Sequence, residues 1–192
     1  YEIPENLLYL KHLEILDLPY NYIEKIPDDI EKLENLRYLS LYGNEIPQNI
    51  AEWYGTLHKL TLLEYLELSS MKIRNVPAQF GYLKNLRYLD LSDNNIKRLP
   101  DEIGNLRNIE YLDLSNNKIN SLPESIGNLK NLRYLNISRN NINSLPDSIG
   151  NLTNLREFRF HQNNIKNLPK TIENLENLLK NLSNNDIIIF KK

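Results

Sequence analysis

A repeat of 23 residues runs through the second half of the chain and constrains its fold more than any other feature of the sequence. Proline, glycine and a strand-like pattern, Leu-x-x-Leu-x-Leu-x-x-Asn with some Ile or Phe substitutions, all recur at this spacing. Self-similarity at a fixed period of roughly 20 to 50 residues indicates a solenoid, in which each repeat packs only against its neighbours. The prolines are Pro100, Pro123, Pro146 and Pro169, and the glycines are Gly81, Gly104, Gly127 and Gly150.

The same frame continues towards the N-terminus through Leu63, Leu36 and Leu13. It predicts seven clear strands and a degenerate eighth strand near Leu178. We therefore predict that residues 1–192 form a single domain of about seven to eight repeats.

The frame is disturbed in two places. The repeat that contains 47–62 is four residues longer than the others, and the last repeat, 176–192, loses its register. The only tryptophan, Trp53, lies in the longer repeat. Two interpretations of Trp53 stay open, a core residue that replaces a leucine and an exposed aromatic anchor for a partner.

This pattern resembles the leucine-rich repeat, and in particular the 23-residue subtype of Ras-suppressor and Scribble-like proteins, which many microbial proteins also carry. The resemblance implies an α/β solenoid. Such a chain forms a curved, right-handed superhelix with a parallel sheet on the concave side and short helical or 3-10 turns on the convex side. It further implies a non-catalytic module that binds another macromolecule, with scaffolding or regulation of signalling as the expected role.

Alternation within one strand predicts which side chains face the core. In the segment 111–115, Leu112 and Leu114 alternate with Tyr111, Asp113 and Ser115. Because successive side chains of a strand point to opposite faces, the leucines face inward and the other three face outward.

Asparagines recur where the chain must leave each strand. A side-chain amide at such a turn can satisfy backbone N–H and C=O groups of neighbouring turns that would otherwise lack partners. We interpret these residues as a structural ladder: Asn21, Asn44, Asn94, Asn117, Asn140 and Asn163.

The outward positions of successive strands predict a binding surface on the concave face. Five consecutive tyrosines form one line, beside a line that begins with acidic residues. Tyrosine suits interfaces because it combines a large rigid ring with a polar tip, although tyrosine is also a common residue at this position of the repeat. The candidate binding residues are Tyr38, Tyr65, Glu67, Tyr88, Asp90, Tyr111, Asp113, Tyr134, Asn136, Arg159 and His161.

Basic residues gather at the end of this predicted face. Arg139, Arg156, Arg159 and His161 lie near Glu157 in the aligned repeats. The sequence leaves open whether this patch recognises an acidic, sulfated or phosphorylated partner or is ordinary solvated charge.

The residues that catalysis or metal binding would need are absent or dispersed. The chain has no cysteine, and its three histidines, His12, His58 and His161, fall in different repeats. A Cys-ligated zinc site, a histidine-based zinc site and a Ser-His-Asp triad are therefore excluded. We predict a protein without enzymatic activity, without a cofactor and without a metal site.

Charge limits the classes of partner. The net charge is −2 and the sequence pI about 6.0, which favours neither nucleic acid nor an anionic membrane surface. No apolar run approaches the roughly 18 residues of a membrane span. A protein partner is expected, a glycan is an alternative, and membrane insertion is not expected.

Two alternative functions follow from the sequence. The first is a secreted or surface adhesion protein that binds a host protein or glycan. The second is a self-assembling repeat, with a possible homodimer through uncapped ends, because 1–96 carries a net charge of −6 and 97–192 a net charge of +4. Both a cytoplasmic and a secreted location remain open.

Overall fold

Short strands stack in chain order to form one parallel sheet. The computed structural model describes residues 2–44 and 56–175, and these residues contain seven strands, each paired with the strands of the preceding and following turns. The strands are β1 (Ile15–Asp17), β2 (Tyr38–Ser40), β3 (Tyr65–Glu67), β4 (Tyr88–Asp90), β5 (Tyr111–Asp113), β6 (Tyr134–Asn136) and β7 (Glu157–Arg159).

The register places equivalent residues of the repeat side by side. Leu66 pairs with Leu89, and Leu89 pairs with Leu112 on the next strand. All three side chains are fully buried, so each turn contributes one leucine to a continuous column inside the solenoid. The predicted parallel sheet with inward leucines is thereby confirmed.

Short 3-10 helices lie on the side opposite the sheet. Six of them begin directly after a proline whose φ lies between −61° and −72°, the range that the pyrrolidine ring imposes. The 3-10 helices of the described residues are η1 (Glu5–Tyr9), η2 (Ile30–Lys32), η3 (Ala78–Tyr82), η4 (Asp101–Asn105), η5 (Glu124–Asn128), η6 (Asp147–Asn151) and η7 (Lys170–Asn174).

The recurring glycines allow neighbouring 3-10 helices to approach closely. A Cβ on Gly127 would lie 2.5 Å from the carbonyl oxygen of Ser148 in the next turn, and one on Gly104 would lie 2.4 Å from that of Ser125. These glycines lie inside the 3-10 helices, where lateral packing between neighbouring turns leaves no room for a side chain.

Two predicted irregularities lie outside the described residues. Trp53 and most of 47–62 fall in the first such segment, and the degenerate repeat at 176–192 falls in the second. Both predictions therefore stay predictions.

Candidate binding surface

Five tyrosines stack across the outward face of the sheet. Because the strands pair in register, equivalent tyrosines occupy adjacent positions on five successive strands. Their ring centroids are 4.0–4.3 Å apart and their planes differ by 2–12°. We call this group the tyrosine column: Tyr38, Tyr65, Tyr88, Tyr111 and Tyr134.

The ring spacing shows on which side the sheet curves. Equivalent atoms of adjacent strands in a flat sheet would lie about 4.8 Å apart, whereas the ring centroids of the column are at most 4.3 Å apart. The rings therefore lie on the inner side of the curve, and the face that carries them is concave.

Different residues end the column on each side. In β1 the equivalent position is Ile15, which is 63% exposed, and in β7 it is Glu157. The guanidinium carbon of Arg159 lies 5.6 Å from the ring centroid of Tyr134, so a cation covers the last ring face. Stacked neighbours cover the inner ring faces. The column therefore presents ring edges and hydroxyl groups to a partner.

The tyrosines of the column are uncharged at neutral pH. Burial raises the pKa of Tyr38 to about 12, and burial is also the main cause of the raised pKa of each of the other four tyrosines. Each hydroxyl group can therefore both donate and accept a hydrogen bond at neutral pH.

The outward acidic residue of β5 forms its hydrogen bonds largely within the protein. Asp113 is only 7% exposed. Its Oδ1 accepts hydrogen bonds from the backbone N–H of Ser115 (2.8 Å) and from the Ser115 hydroxyl (2.6 Å), and its Oδ2 accepts one from Asn136 Nδ2 (3.0 Å). Asn136 is also 7% exposed, and its Oδ1 accepts from the Ser138 hydroxyl (2.6 Å). Asp113 and Asn136 thus lie on the predicted face, but their side chains are largely buried. Their main role is to hold neighbouring residues of the face in place.

Two further outward acids, on β3 and β4, are half-buried. Glu67 accepts a hydrogen bond from the Ser40 hydroxyl (2.8 Å), and Asp90 accepts one from the backbone N–H of Ser92 (2.8 Å). Burial raises the pKa of Asp90, although the bonds from Ser92 oppose this. We call Glu67, Asp90 and Asp113 the acidic row.

Basic side chains dominate the β7 end of the sheet face. Arg159 and His161 are exposed, and Arg159 donates to Glu157 within the same strand. Arg139, at the edge after β6, is also exposed and donates to Gln162 (2.8 Å).

Sequence reasoning missed a line of alternating charges at the start of the strands. Arg37 pairs with Glu64 (2.6 Å), and Glu110 pairs with both Arg87 (2.8 Å) and Arg133 (3.5 Å). Each of these residues directly precedes the first residue of its strand. The signal was present in the sequence as a charged residue before each tyrosine, and it borders the tyrosine column along its whole length.

The predicted asparagine ladder has a defined hydrogen-bonding pattern. Asn117 Oδ1 accepts from the backbone N–H of Ile96 (2.9 Å), and Asn117 Nδ2 donates to the carbonyl oxygens of Leu91 (2.9 Å) and Leu114 (3.1 Å). Equivalent bonds form at four further positions, Asn44, Asn94, Asn140 and Asn163.

Asn21 differs from the rest of the ladder. It is exposed, and its Nδ2 donates to the carbonyl oxygen of Pro19 within the same turn. In β3's turn, Met71 occupies the position of the asparagine and is buried in the core instead.

A second asparagine ladder was not predicted. One asparagine near the start of each of five strands donates through Nδ2 to a backbone carbonyl oxygen of the preceding turn, at distances of 2.7–2.9 Å. Its sequence signal is the recurring Asn before the first Leu or Ile of the strand pattern. These residues are Asn35, Asn85, Asn108, Asn131 and Asn154.

The described residues offer no sign of a metal centre or a membrane span. Among 2–44 and 56–175, no group of three or more His, Asp or Glu residues is arranged to hold a metal ion. Within the same residues, no helix is long and apolar enough to cross a bilayer.

Comparison with known families agrees with this geometry. A family model described as a leucine-rich repeat region matches residues 77–133 and 125–186, and a second model, described as a leucine rich repeat, matches 3–46. The chain is a leucine-rich-repeat protein. Leucine-rich-repeat proteins are generally protein-interaction modules, and their fold is typically a non-catalytic scaffold.

Curated relatives match this leucine-rich-repeat chain over part of its length. The chain is 33% identical over 82 residues to Toll-like receptor 2 type-2 of Gallus gallus, a match that covers 43% of the chain and 10% of the receptor. It is 39% identical over 72 residues to Cuscuta receptor 1 of Solanum lycopersicum, which covers 37% of the chain and 6% of that receptor. The aligned region thus spans a tenth or less of these relatives.

Solved structures match almost the whole chain. A leucine-rich-repeat protein of Leptospira interrogans superposes with a TM-score of 0.71 at 31% identity, over 92% of this chain and 50% of the other. A TDR receptor gives a TM-score of 0.77 at 26% identity, over 92% and 31%. Internalin C2 of Listeria monocytogenes gives 0.76 at 27% identity, over 92% and 72%.

Proposed function

We propose that this protein binds a protein partner on the concave sheet face, along the tyrosine column. The observation that carries the proposal is the stack of five in-register rings, which forms a continuous line of ring edges and hydroxyl groups. Such a surface is rigid before binding, so that its own side chains lose little additional conformational entropy on contact. Tyrosine combines apolar contact area with a hydrogen-bonding tip, which is why it is enriched at protein interfaces.

The flanking contacts support this proposal. The acidic row and its serines hold one another in place, and the ion pairs before the strands hold the opposite border. Both borders therefore limit the movement of the tyrosine rings. Three of the similar proteins also carry the word receptor in their names.

We further propose that the chain has no enzymatic activity. Catalysis of a buried reaction step would need a site that excludes water. The open concave face does not exclude it. The repeats fit the 23-residue subtype of Ras-suppressor-like proteins by their length, and we retain that assignment as a proposal.

The proposal is tested by comparing proteins captured by the wild type with those captured by a Tyr88→Ala/Tyr111→Ala variant. A matched control, Lys97→Ala/Arg98→Ala, alters two exposed side chains after β4. We expect a partner to bind the wild type and the control and to be lost or weakened at least about tenfold with the tyrosine variant. Circular dichroism and thermal unfolding establish that all three proteins are folded.

Equal capture by the wild type and the tyrosine variant would contradict the proposal. Adhesion to a host protein or glycan, and self-assembly through the ends of the solenoid, stay predictions from the sequence. Capture of the same partner by every variant would direct attention to those alternatives and to Trp53.

A further inference from the structure

The alternation of charges before the strands breaks at one point. From β2 to β6 the residues in this line are Arg37, Glu64, Arg87, Glu110 and Arg133, so that each arginine has a glutamate beside it. At β7 the alternation predicts an acid, but the residue is Arg156. No carboxylate of the described residues lies within ion-pair distance of Arg156, and adjacent strands place it beside Arg133.

Two more arginines extend this basic area across the sheet face. Arg159 is the last residue of β7 and Arg139 follows β6, and both side chains are exposed. Among 2–44 and 56–175, the carboxylate that forms an ion pair with either of these two arginines is Glu157, which pairs with Arg159. We call the four residues Arg133, Arg139, Arg156 and Arg159 the arginine end.

The acids of the same face neutralise the arginine end only in part. Asp113, the member of the acidic row on the nearest strand, is 7% exposed and fully engaged by Ser115 and Asn136. The ion pairs that the residues before the strands form with one another do not include Arg156. Counting the charges of the described residues alone, an excess of exposed positive charge therefore remains over β6 and β7.

We propose that the arginine end binds an acidic segment of the protein partner, so that the partner lies with its carboxylates over β6 and β7. This inference rests on the proposed function of the sheet face. Guanidinium groups suit carboxylates because they form two parallel charge-assisted hydrogen bonds. The adjacent ring edges of the tyrosine column then contact the uncharged residues that follow in the partner.

The acidic row favours a peptide over a longer polyanion. A sulfated glycan that followed the sheet face from β7 towards β3 would bring its charges towards Asp113, Asp90 and Glu67, and like charges repel. A peptide can change from acidic to uncharged residues within one or two positions. The surface charge thus matches a short acidic segment joined to an uncharged one.

Direct binding of a labelled hexaglutamate peptide tests the inference, measured by fluorescence anisotropy at about 50 mM salt, where surface charges are weakly screened. We expect Arg133→Glu/Arg156→Glu to weaken binding by about tenfold or more, because two attractive charges become repulsive. The control Lys97→Glu/Arg98→Glu makes the same charge change on exposed residues outside the sheet face and should weaken binding less than about twofold. Hexalysine should not bind the wild type.

A milder variant guards against loss of fold. Arg133→Glu also disrupts the ion pair with Glu110, whereas Arg156→Gln removes one charge that forms no ion pair with the part of the chain that the structure describes. We expect this single variant to weaken hexaglutamate binding by about threefold, with an unchanged midpoint of thermal unfolding.

Three results would overturn the inference. The first is that the wild type does not bind hexaglutamate, and the second is that the Lys97/Arg98 control loses as much affinity as the arginine variant. The third is that a heparin octasaccharide binds the arginine end at least about tenfold more tightly than the peptide, which would identify a sulfated glycan instead. The peptide assay needs no natural partner. A wild type that does not bind hexaglutamate therefore contradicts this inference, whereas a partner that still binds the Tyr88→Ala/Tyr111→Ala variant contradicts the proposed function.

Discussion

Apart from Asn21, each ladder asparagine satisfies backbone groups of two successive turns. Asn117 accepts one backbone hydrogen bond and donates to two carbonyl oxygens while its side chain is almost completely buried. An aliphatic residue at this position would leave those backbone groups without partners in the interior, which costs more free energy than the loss of an exposed hydrogen bond.

We therefore expect Asn117→Ala to lower the free energy of unfolding by about 2–4 kcal/mol. Asn108→Ala removes one side-chain hydrogen bond of the exposed second ladder and should lower the free energy of unfolding by about 0.5–1.5 kcal/mol. Urea denaturation at pH 7 measures both values. Equal losses in the two variants would show that burial does not distinguish the two ladders.

Asp90 predicts a dependence of stability on pH. Burial raises the pKa of this carboxyl. The folded pKa is thus above the unfolded one, so the ionised carboxylate destabilises the fold at neutral pH, and this penalty disappears as the pH falls through the folded pKa. Asn136, at the equivalent position of β6, shows that a neutral amide forms the same contact with its neighbouring serine and also donates to the adjacent carboxylate.

We expect Asp90→Asn to raise the free energy of unfolding at pH 7 by up to about 1 kcal/mol. The advantage should shrink at pH 4, and urea denaturation at the two pH values measures it. A less stable variant at pH 7, or an advantage that is independent of pH, would contradict the proposed role of burial.

At the scale of elements, the 3-10 helices pack through glycines that leave no room for a side chain. A Cβ at Gly127 would lie 2.5 Å from the Ser148 carbonyl oxygen and 2.6 Å from Ser148 Cβ. We expect Gly127→Ala to cost about 1–3 kcal/mol, because η5 and η6 must separate to accommodate it.

The neighbouring Asn128→Ala substitution provides the control, since Asn128 is exposed on the same helix. It should change the free energy of unfolding by less than about 0.5 kcal/mol. If Gly127→Ala were equally neutral in thermal and urea unfolding, the close contact between the helices would not be a packing constraint.

The tyrosine column, taken as one element, should lose its protons at a higher pH than an ordinary tyrosine. The pKa of Tyr38 is raised to about 12, and those of its four partners are also raised, mainly by burial. Since folding raises these values above the ordinary 10.0, stability falls as the pH rises above about 10, where the unfolded chain loses its tyrosine protons first.

Absorbance at 295 nm as a function of pH measures the ionisation of the 12 tyrosines of the chain. We expect a late phase, above pH 10, from the column, which merges with unfolding. In Tyr88→Ala/Tyr111→Ala the late phase should become smaller. A single phase near pH 10 for all tyrosines would contradict the burial of the column.

At the scale of the whole molecule, the repeat made most of the fold predictable. The fixed spacing of prolines, leucines and asparagines determined the strands, their parallel order and the inward leucine column, because identical units can stack only in register. The same spacing placed the tyrosines on adjacent strands. It could not reveal that Asp113 and Asn136 would be covered, since their burial depends on contacts with Ser115, Ser138 and each other.

Other features could be recognised only from the structure, or from a closer comparison of equivalent positions in successive repeats. The reason for the glycines became clear only from the distance between one 3-10 helix and the next. The ion pairs before the strands were visible as alternating charges, yet a charged residue at a strand start is also typical of ordinary solvated surface. The break in this alternation at Arg156 has meaning only when the neighbouring pairs are known.

The most direct test of binding at the concave face is photo-crosslinking of a captured partner. A photo-reactive amino acid is placed either at Ser115, on the sheet face, or at Lys97, an exposed residue after β4. We expect a crosslink from position 115 and none from position 97, identified by mass spectrometry. A partner that crosslinks from position 97 but not from position 115 would contradict the assignment of the tyrosine face as the binding surface.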